Sequence, residues 1–196
     1  MKERFLYLLK IVCPLTVICL LMVALIAIVN HFTAPTIEQN EKALFDESIK
    51  KLFALSEDAS PEVNAMPLPE GDALPKGAVA AYAVGIEGEL LGYCMEVRGS
   101  GAYSEDLRML VALDDQGRII DLSCLAQSET PGKGDKVLNG SFYAAHYVGK
   151  DARQSVSAEM PFVSGSTRTS TALYNAVSCA ADLYEILVRQ EGGVTT

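Results

Sequence analysis

Between Ser164 and Thr171 the chain reads SGSTRTST, six hydroxyl side chains and one glycine directly ahead of an apolar stretch of helical period. The start of a helix exposes unpaired N–H groups and the positive end of its dipole, which together make a seat for a phosphate. Ser164, Ser166, Thr167 and Thr169 can add hydroxyl donors, Arg168 adds a charge, and Gly165 permits close approach of the backbone. The competing account is capping, since Ser and Thr are favoured N-caps worth about 1 kcal/mol and need no ligand. One cap uses one hydroxyl, so most of the six are surplus to that task.

A second stretch, QSETPGKGDKV at 127–137, follows an alternating apolar run and holds Pro131, Gly132 and Gly134 in a polar loop. Glycines there let backbone amides come against a planar ligand; an ordinary strand-to-helix connection has the same composition. The glycine spacing and the absence of a Lys-Ser/Thr pair exclude a Walker loop.

The elements that must position these stretches are legible from periodicity. Val79 to Ile86, a turn at Glu87-Gly88-Glu89, and Leu90 to Val97 predict a hairpin. Leu107 to Leu113, the turn residues Asp114-Asp115-Gln116-Gly117, and Arg118 to Ala126 predict a second, with Ile120, Leu122 and Cys124 in phase. Leu173, Val177, Ala180, Tyr184 and Leu187 repeat every three or four residues and predict a helix beginning near Ser170. The expected class is α+β, a small antiparallel sheet packed by helices.

Ahead of this domain, Ile11 to Phe32 carries no charged residue and is long enough, at roughly 1.5 Å per residue, to cross a hydrocarbon core of about 30 Å. Lys2, Arg4 and Lys10 precede this stretch and Glu38, Glu41, Asp46 and Glu47 follow it, which predicts a cytoplasmic N-terminus and an extracytoplasmic bulk. The sequence around NHFTAP is a poor cleavage site, so the expectation is a retained anchor in the cell membrane rather than a signal peptide. Thr16, Asn30 and Thr33 can bond to neighbouring helices. Ile37, Ala43 or Leu44, and Leu52 predict an amphipathic helix, and the prolines at 61, 67, 69 and 75 predict irregular chain. The expected organisation is a cytoplasmic N-terminus at 1–10, a membrane helix at 11–32, an amphipathic helix and proline-rich linker at 33–77, and an extracytoplasmic domain at 78–190.

A formal net charge of −9 argues against nucleic acid, whose phosphates call for a basic surface. Two histidines and no CxxC pair argue against a histidine-rich zinc, iron or haem site. Cys124 and Cys179 fall on apolar faces and read as core residues, and Tyr143, His146 and Tyr147 read as a packed aromatic cluster, with approach to a bound cofactor as the alternative.

Taken together, two stretches carry a resemblance. SGST at 164–167 resembles the S-G-A-T flavinylation motif of FMN-binding domains, and SETPGKGDK resembles their E-T-P-G-x-G loop. With the N-terminal anchor and the trailing TAPTIEQNE, the whole arrangement is similar to the RnfG-type subunits of Rnf electron-transport complexes, and less closely to the NqrC-type subunits of the sodium-translocating NADH:quinone reductase. The resemblance implies FMN joined through its phosphate to the hydroxyl of Thr167, with Ser164, Gly165 and Ser166 around the phosphate. It implies Glu129, Thr130, Gly132 and Gly134 along the ring or ribityl side. It further implies a Mg²⁺-dependent flavin transferase for maturation, the other membrane subunits as partners, and a redox relay, rather than an isolated enzyme, within a complex coupling ferredoxin and NAD⁺ chemistry to Na⁺ or H⁺ transport.

The chain departs from the family pattern twice. Pro161 stands where an aspartate recognised by the transferase is usual, with Glu159 close by, and Ser166 stands where alanine precedes the modified threonine. Two other functions fit the same residues: an anchored FMN protein of another extracytoplasmic chain, and a non-redox anchored binding or assembly module.

Overall fold

A long apolar sequence without glycine favours one long helix at the N-terminus. In a computed structural model, which describes residues 2–69, 71–102, 106–126, 134–157 and 160–189, helix α1 runs from Lys2 to Leu52. Pro14 and Pro35 lie inside the helix, where each removes an N–H bond to the preceding turn and crowds the carbonyl four residues back. Among the described residues it is the one helix long and apolar enough to cross a membrane. Thr16 donates to the carbonyl of Val12 at 3.0 Å and Thr33 to that of Val29, so both hydroxyls are satisfied within their own helix rather than by a neighbour.

The chain divides into two compact units, residues 1–44 and 45–196. The second unit therefore begins at Phe45, ahead of the Ala78 start that strand periodicity predicts. Its described residues form a five-stranded antiparallel meander in the order β1 (Glu62–Ala65), β2 (Ala78–Ile86), β3 (Glu89–Gly99), β4 (Leu107–Leu113) and β5 (Ile119–Ala126). β1 falls within the segment whose prolines predict irregular chain. It forms because Pro61 and Pro67 flank it and because, as an edge strand, it pairs on one side only, Glu62 to Ala65 against Gly85 to Tyr82.

Both predicted hairpins are present. Glu87 and Gly88 have φ of +51° and +81°, the pair of left-handed residues that a two-residue type I′ turn requires. At the second turn the Asp114 carboxylate accepts from the backbone N–H groups of Gln116 and Arg118 at 2.9 and 2.8 Å.

Alternation then sorts the side chains to two faces. Met95, Val97, Met109, Val111 and Leu122 point to one face, where α2 (Gly140–His146) and α4 (Thr167–Tyr184) pack; α3 (Ala152–Ser157) lies against α4. Cys94, Leu110 and Ala112 point to the other, where Phe45, Ile49 and Leu52 at the end of α1 cover them. Leu173, Val177, Ala180, Tyr184 and Leu187 are all buried as their spacing predicts, and each fully buried large aliphatic among them contributes about 1.5–3 kcal/mol. Helices α2 and α3, each too short to show a period, have no counterpart in the sequence reading.

Candidate functional site

The hydroxyl-rich stretch folds as a turn followed by a helix start. The N–H of Ser166 donates to the carbonyl of Val163 at 2.9 Å, and Gly165 carries φ of +82°, the position that glycine fills in a type II turn. Helix α4 begins at Thr167, three residues before the predicted Ser170.

The hydroxyls divide into two sets. Ser170 is fully buried; its Oγ donates to the carbonyl of Ser166 at 3.0 Å and accepts from the N–H of Val163 at 3.3 Å, clasping the turn onto the helix. Thr171 donates to the carbonyl of Thr167 at 2.9 Å, and Thr169 is buried. Ser164 and Thr167, with Gly165 and Arg168, are exposed. Ser166 occupies the N-cap position, yet among the described residues its side chain makes no capping hydrogen bond. Capping therefore leaves the group unexplained: the residue placed to cap does not cap, and the next one presents an exposed alcohol at the first helical position.

Neighbouring elements hold this start against the sheet. Asn175 donates from Nδ2 to the carbonyl of Ser100 at 2.9 Å, tying α4 to the end of β3. Beside that contact lies a cleft of about 570 Å³ lined by Lys76, Gly77, Arg98, Ser100 and Asp106. A larger cleft of about 650 Å³ includes Arg118, His146, Lys150, Asp151 and Pro161. Around the Cβ position of Gly165 nothing among the described residues lies within 4 Å.

Of the second predicted stretch, Glu129, Thr130 and Gly132 lie outside the described residues. Gly134 is buried and opens a 3₁₀ turn, Gly134–Lys136, its carbonyl accepting from Val137 and Leu138 at 3.0 and 3.1 Å. Asn139 then caps α2 by accepting from the N–H of Phe142 at 3.0 Å. Thus Ser164, Gly165, Ser166 and Thr167 share one turn, and Gly134 belongs to the lead-in to α2.

Of the predicted aromatic group, His146 and Tyr147 each pack against Phe142, at 4.4 and 6.5 Å between centroids. The group has a feature that composition does not reveal. The hydroxyls of Tyr143 and Tyr147 are buried and, among the described residues, have no hydrogen-bond partner. A second polar feature unseen in the sequence lies on the opposite face of the sheet: Glu96, 3% exposed, accepts from Arg108 Nε at 2.6 Å and from the Tyr82 hydroxyl at 3.3 Å.

Comparison with known proteins agrees with this layout. Residues 102–182 match the FMN-binding domain family and residues 14–45 match the RnfG N-terminal region. The chain is 24% identical over 83% of its length to the G subunit of the Na(+)-translocating ferredoxin:NAD(+) oxidoreductase complex of Acetobacterium woodii, covering 84% of that protein. It is 29% identical to the G subunit of the ion-translocating oxidoreductase complex of Shewanella oneidensis over 69% of this chain and 66% of that protein. The corresponding protein of Shewanella loihica is 30% identical over 60% of this chain and 57% of its own length.

The residues present fit an FMN. An exposed alcohol stands at a helix start, a glycine turn opens beside it, and two buried phenols of the same domain lack partners among the described residues. A match to the RnfG N-terminal region followed by a match to the FMN-binding domain family makes the chain similar to the RnfG-type FMN-binding subunits and supports its recognition as one of that type.

Proposed function

We propose that this chain is the membrane-anchored electron-relay subunit of an Rnf-type ion-translocating oxidoreductase, with FMN held by a phosphoester to Thr167. The observation that carries this reading is the exposed Thr167 at the first position of α4, behind a Gly165 turn and beside an N-cap whose side chain does not cap.

Attachment would form a bond from Thr167 Oγ1 to the phosphorus of the FMN half of FAD and break the pyrophosphate bridge. AMP leaves and the hydroxyl proton passes to solvent. An unactivated alcohol does not do this unaided, so a Mg²⁺-dependent flavin transferase is the maturation partner. An exposed Thr167 is what a second enzyme must reach. The dipole and N–H groups at the start of α4 then face the phosphodiester, Ser164 adds a hydroxyl, and the unbranched backbone at Gly165 leaves room for it. Glu129, Thr130, Gly132 and Gly134 are assigned to the ring and ribityl side.

When bound, the flavin supplies two-electron acceptance and one-electron release. The lysine and arginine bias before the span supports a domain outside the cytoplasm, where a tethered cofactor would be retained. Relatives are named as subunits of ion-translocating complexes, one of them Na(+)-translocating and of the ferredoxin:NAD(+) type, which supports the other Rnf-type membrane subunits as partners and a small cation, Na⁺ or in its place H⁺, as the ion to test.

The test is co-expression of the full chain, and of Thr167→Val, with a matched flavin transferase, followed by flavin fluorescence on a denaturing gel and intact mass. Fluorescence in the parent chain and none in the variant is expected. A colourless parent chain would overturn the reading in favour of a non-redox anchored module; a yellow chain without gel fluorescence would remove the covalent bond and keep the cofactor.

A further inference from the structure

A single exposed apolar side chain on a folded surface is ordinary, so its place decides what it means. In the second unit, 45–196, the large hydrophobic side chains of the described residues are buried or half-buried with two exceptions, Leu90 at 48% and Phe162 at 62% exposed. Phe162 is the one exposed aromatic among them, and it makes no ring contact among the described residues. It stands directly before the hydroxyl turn.

The hydrogen bonds of the turn fix that place. The N–H of Val163, and with it the peptide that joins Phe162 to Val163, donates to Ser170 Oγ at 3.3 Å on the first turn of α4, and the Val163 carbonyl accepts from the N–H of Ser166 at 2.9 Å. A turn closed in this way holds its end residues within about 7 Å of each other. Phe162 and Thr167, the next residues outward, therefore flank one turn, and both are exposed. On the other side Pro161, whose ring fixes its own φ, leads into Phe162 and lines the cleft of about 650 Å³. The backbone of Phe162 is thus held from both directions while its side chain stays in water. Folding gains nothing from a phenyl ring left in water, and a polar residue would serve the turn as well. The clasp accounts for the backbone of this segment and not for the side chain.

We infer that Phe162 is a positioning residue, the apolar platform against which the ring of the flavin carried at Thr167 lies, an inference that rests on the function proposed above. The isoalloxazine is a broad planar aromatic system, and offset stacking on a phenyl face is a favoured contact between such rings. With its phosphate on Thr167, the ring has the ribityl chain as its reach, enough to cross one turn to Phe162. Contact covers the phenyl face that the protein leaves in water together with one face of the flavin, and both surfaces gain by leaving water. The held backbone sets the position of the platform before the cofactor arrives.

The experiment uses the full chain in detergent, flavin-loaded by co-expression with the transferase, and compares Phe162→Trp, Phe162→Ser and Leu90→Trp with the parent. An indole in contact with an isoalloxazine quenches its fluorescence, so Phe162→Trp reports the contact directly. Leu90 lies nine residues, about 30 Å, along β3 from Gly99, the residue that meets α4 at Ala172, and is the control. The expected result is a severalfold fall in fluorescence yield per bound flavin for Phe162→Trp and none for Leu90→Trp. For Phe162→Ser the visible absorption bands should move toward those of the same chain denatured, in which the flavin stays attached and its ring is in water. An unchanged yield in Phe162→Trp, or an equal fall in Leu90→Trp, would overturn the inference. Loading that falls in both Phe162 variants, with an unaltered spectrum per bound flavin, would also overturn it and assign the side chain to contact with the transferase. Replacing so exposed a side chain should leave the fold intact, which Tm of the flavin-free chains checks; should Phe162→Trp unfold, the bands of Phe162→Ser decide. A parent chain that acquires no flavin defeats the proposed function itself and is distinguished by its lack of colour.

Discussion

A Cβ atom on Gly99 would stand 2.0 Å from the carbonyl oxygen of Ala172 and 3.1 Å from the Cβ of Ala176. The last residue of β3 and the second turn of α4 thus meet backbone to backbone. That contact, with Asn175 on the carbonyl of Ser100, sets where the start of α4 stands over the sheet.

Gly99→Ala cannot be absorbed by a side-chain rotation, because the obstacle is a helix carbonyl. It should destabilise the full chain by about 1–3 kcal/mol or more, the range of overpacking in a filled interior, and reduce flavin attachment at Thr167. Gly140→Ala is the control: nothing among the described residues lies within 4 Å of its Cβ position at the first residue of α2, and it should be neutral or stabilise by about 0.5 kcal/mol. Thermal unfolding in detergent separates the two.

Ser170 and Thr171 both donate to the carbonyl four residues back, yet their removal should differ. Ser170→Ala also leaves the N–H of Val163 without its acceptor in a part-buried place, which costs about 1–3 kcal/mol and frees the 163–166 turn. Thr171→Ala should stay within about 0.5 kcal/mol of the parent. Parallel Tm and gel-fluorescence measurements should show stability and flavin loading falling together for Ser170→Ala alone; equal loading in both variants would deny the clasp any part in the site.

Two core thiols predict an alkaline limit. Burial first, then Glu96, pushes the Cys94 thiol far up from its ordinary value of 9.0, and burial first, then Asp182, pushes Cys179 up to about 11. In the unfolded chain both ionise near the ordinary value, so the folded form is the one that keeps the proton. Their contribution is complete below about pH 9; that of Cys179 is lost as pH rises through about 11, and that of Cys94 goes on falling at higher pH. Denaturation of the full chain at pH 7, 9 and 10.5 should show a plateau and then a fall, and Cys179→Ala should flatten the fall. At pH 7.5 both thiols should resist alkylation until denaturant is added.

Much of the fold and part of the site were legible, for identifiable reasons. Leu107 to Leu113 and Ile119 to Ala126 alternate because one sheet face meets α4 and the other the end of α1, and Leu173, Val177 and Ala180 recur because α4 buries one stripe. The turn at Ser164–Thr167 was legible because glycine and hydroxyls have local meanings. What escaped depends on partners distant in sequence. β1 is a strand only because Tyr82 to Gly85 offer an edge, α2 and α3 are shorter than the period needed to detect them, and the Tyr143 and Tyr147 oxygens are orphans only once packed. Glu96, Arg108 and Tyr82 come from three strands, and strand register alone brings them together.

That last trio gives a prediction about the sheet face turned away from α4. Arg98 and Arg108 are direct partners across β3 and β4, an arrangement of like charges that weakens a sheet. Glu96 lies on the same face, its side chain 4% exposed, and takes the Arg108 Nε at 2.6 Å, while Arg108 keeps 37% of its side chain in water. Removing the carboxylate alone leaves the two arginines opposed; removing Arg108 alone leaves a buried carboxylate held by the longer Tyr82 contact to its other oxygen. Each single substitution, Glu96→Leu or Arg108→Leu, should therefore cost about 1–3 kcal/mol, the exposure of Arg108 keeping the figure below that of a wholly buried pair. The double substitution should cost less than the sum of the two, with a coupling of about 1 kcal/mol in a double-mutant cycle followed by thermal unfolding. Strict additivity would mean that water, and not Glu96, satisfies Arg108, and the sheet would then owe its register on this face to Leu110 and Ala112 against Ile49 and Leu52.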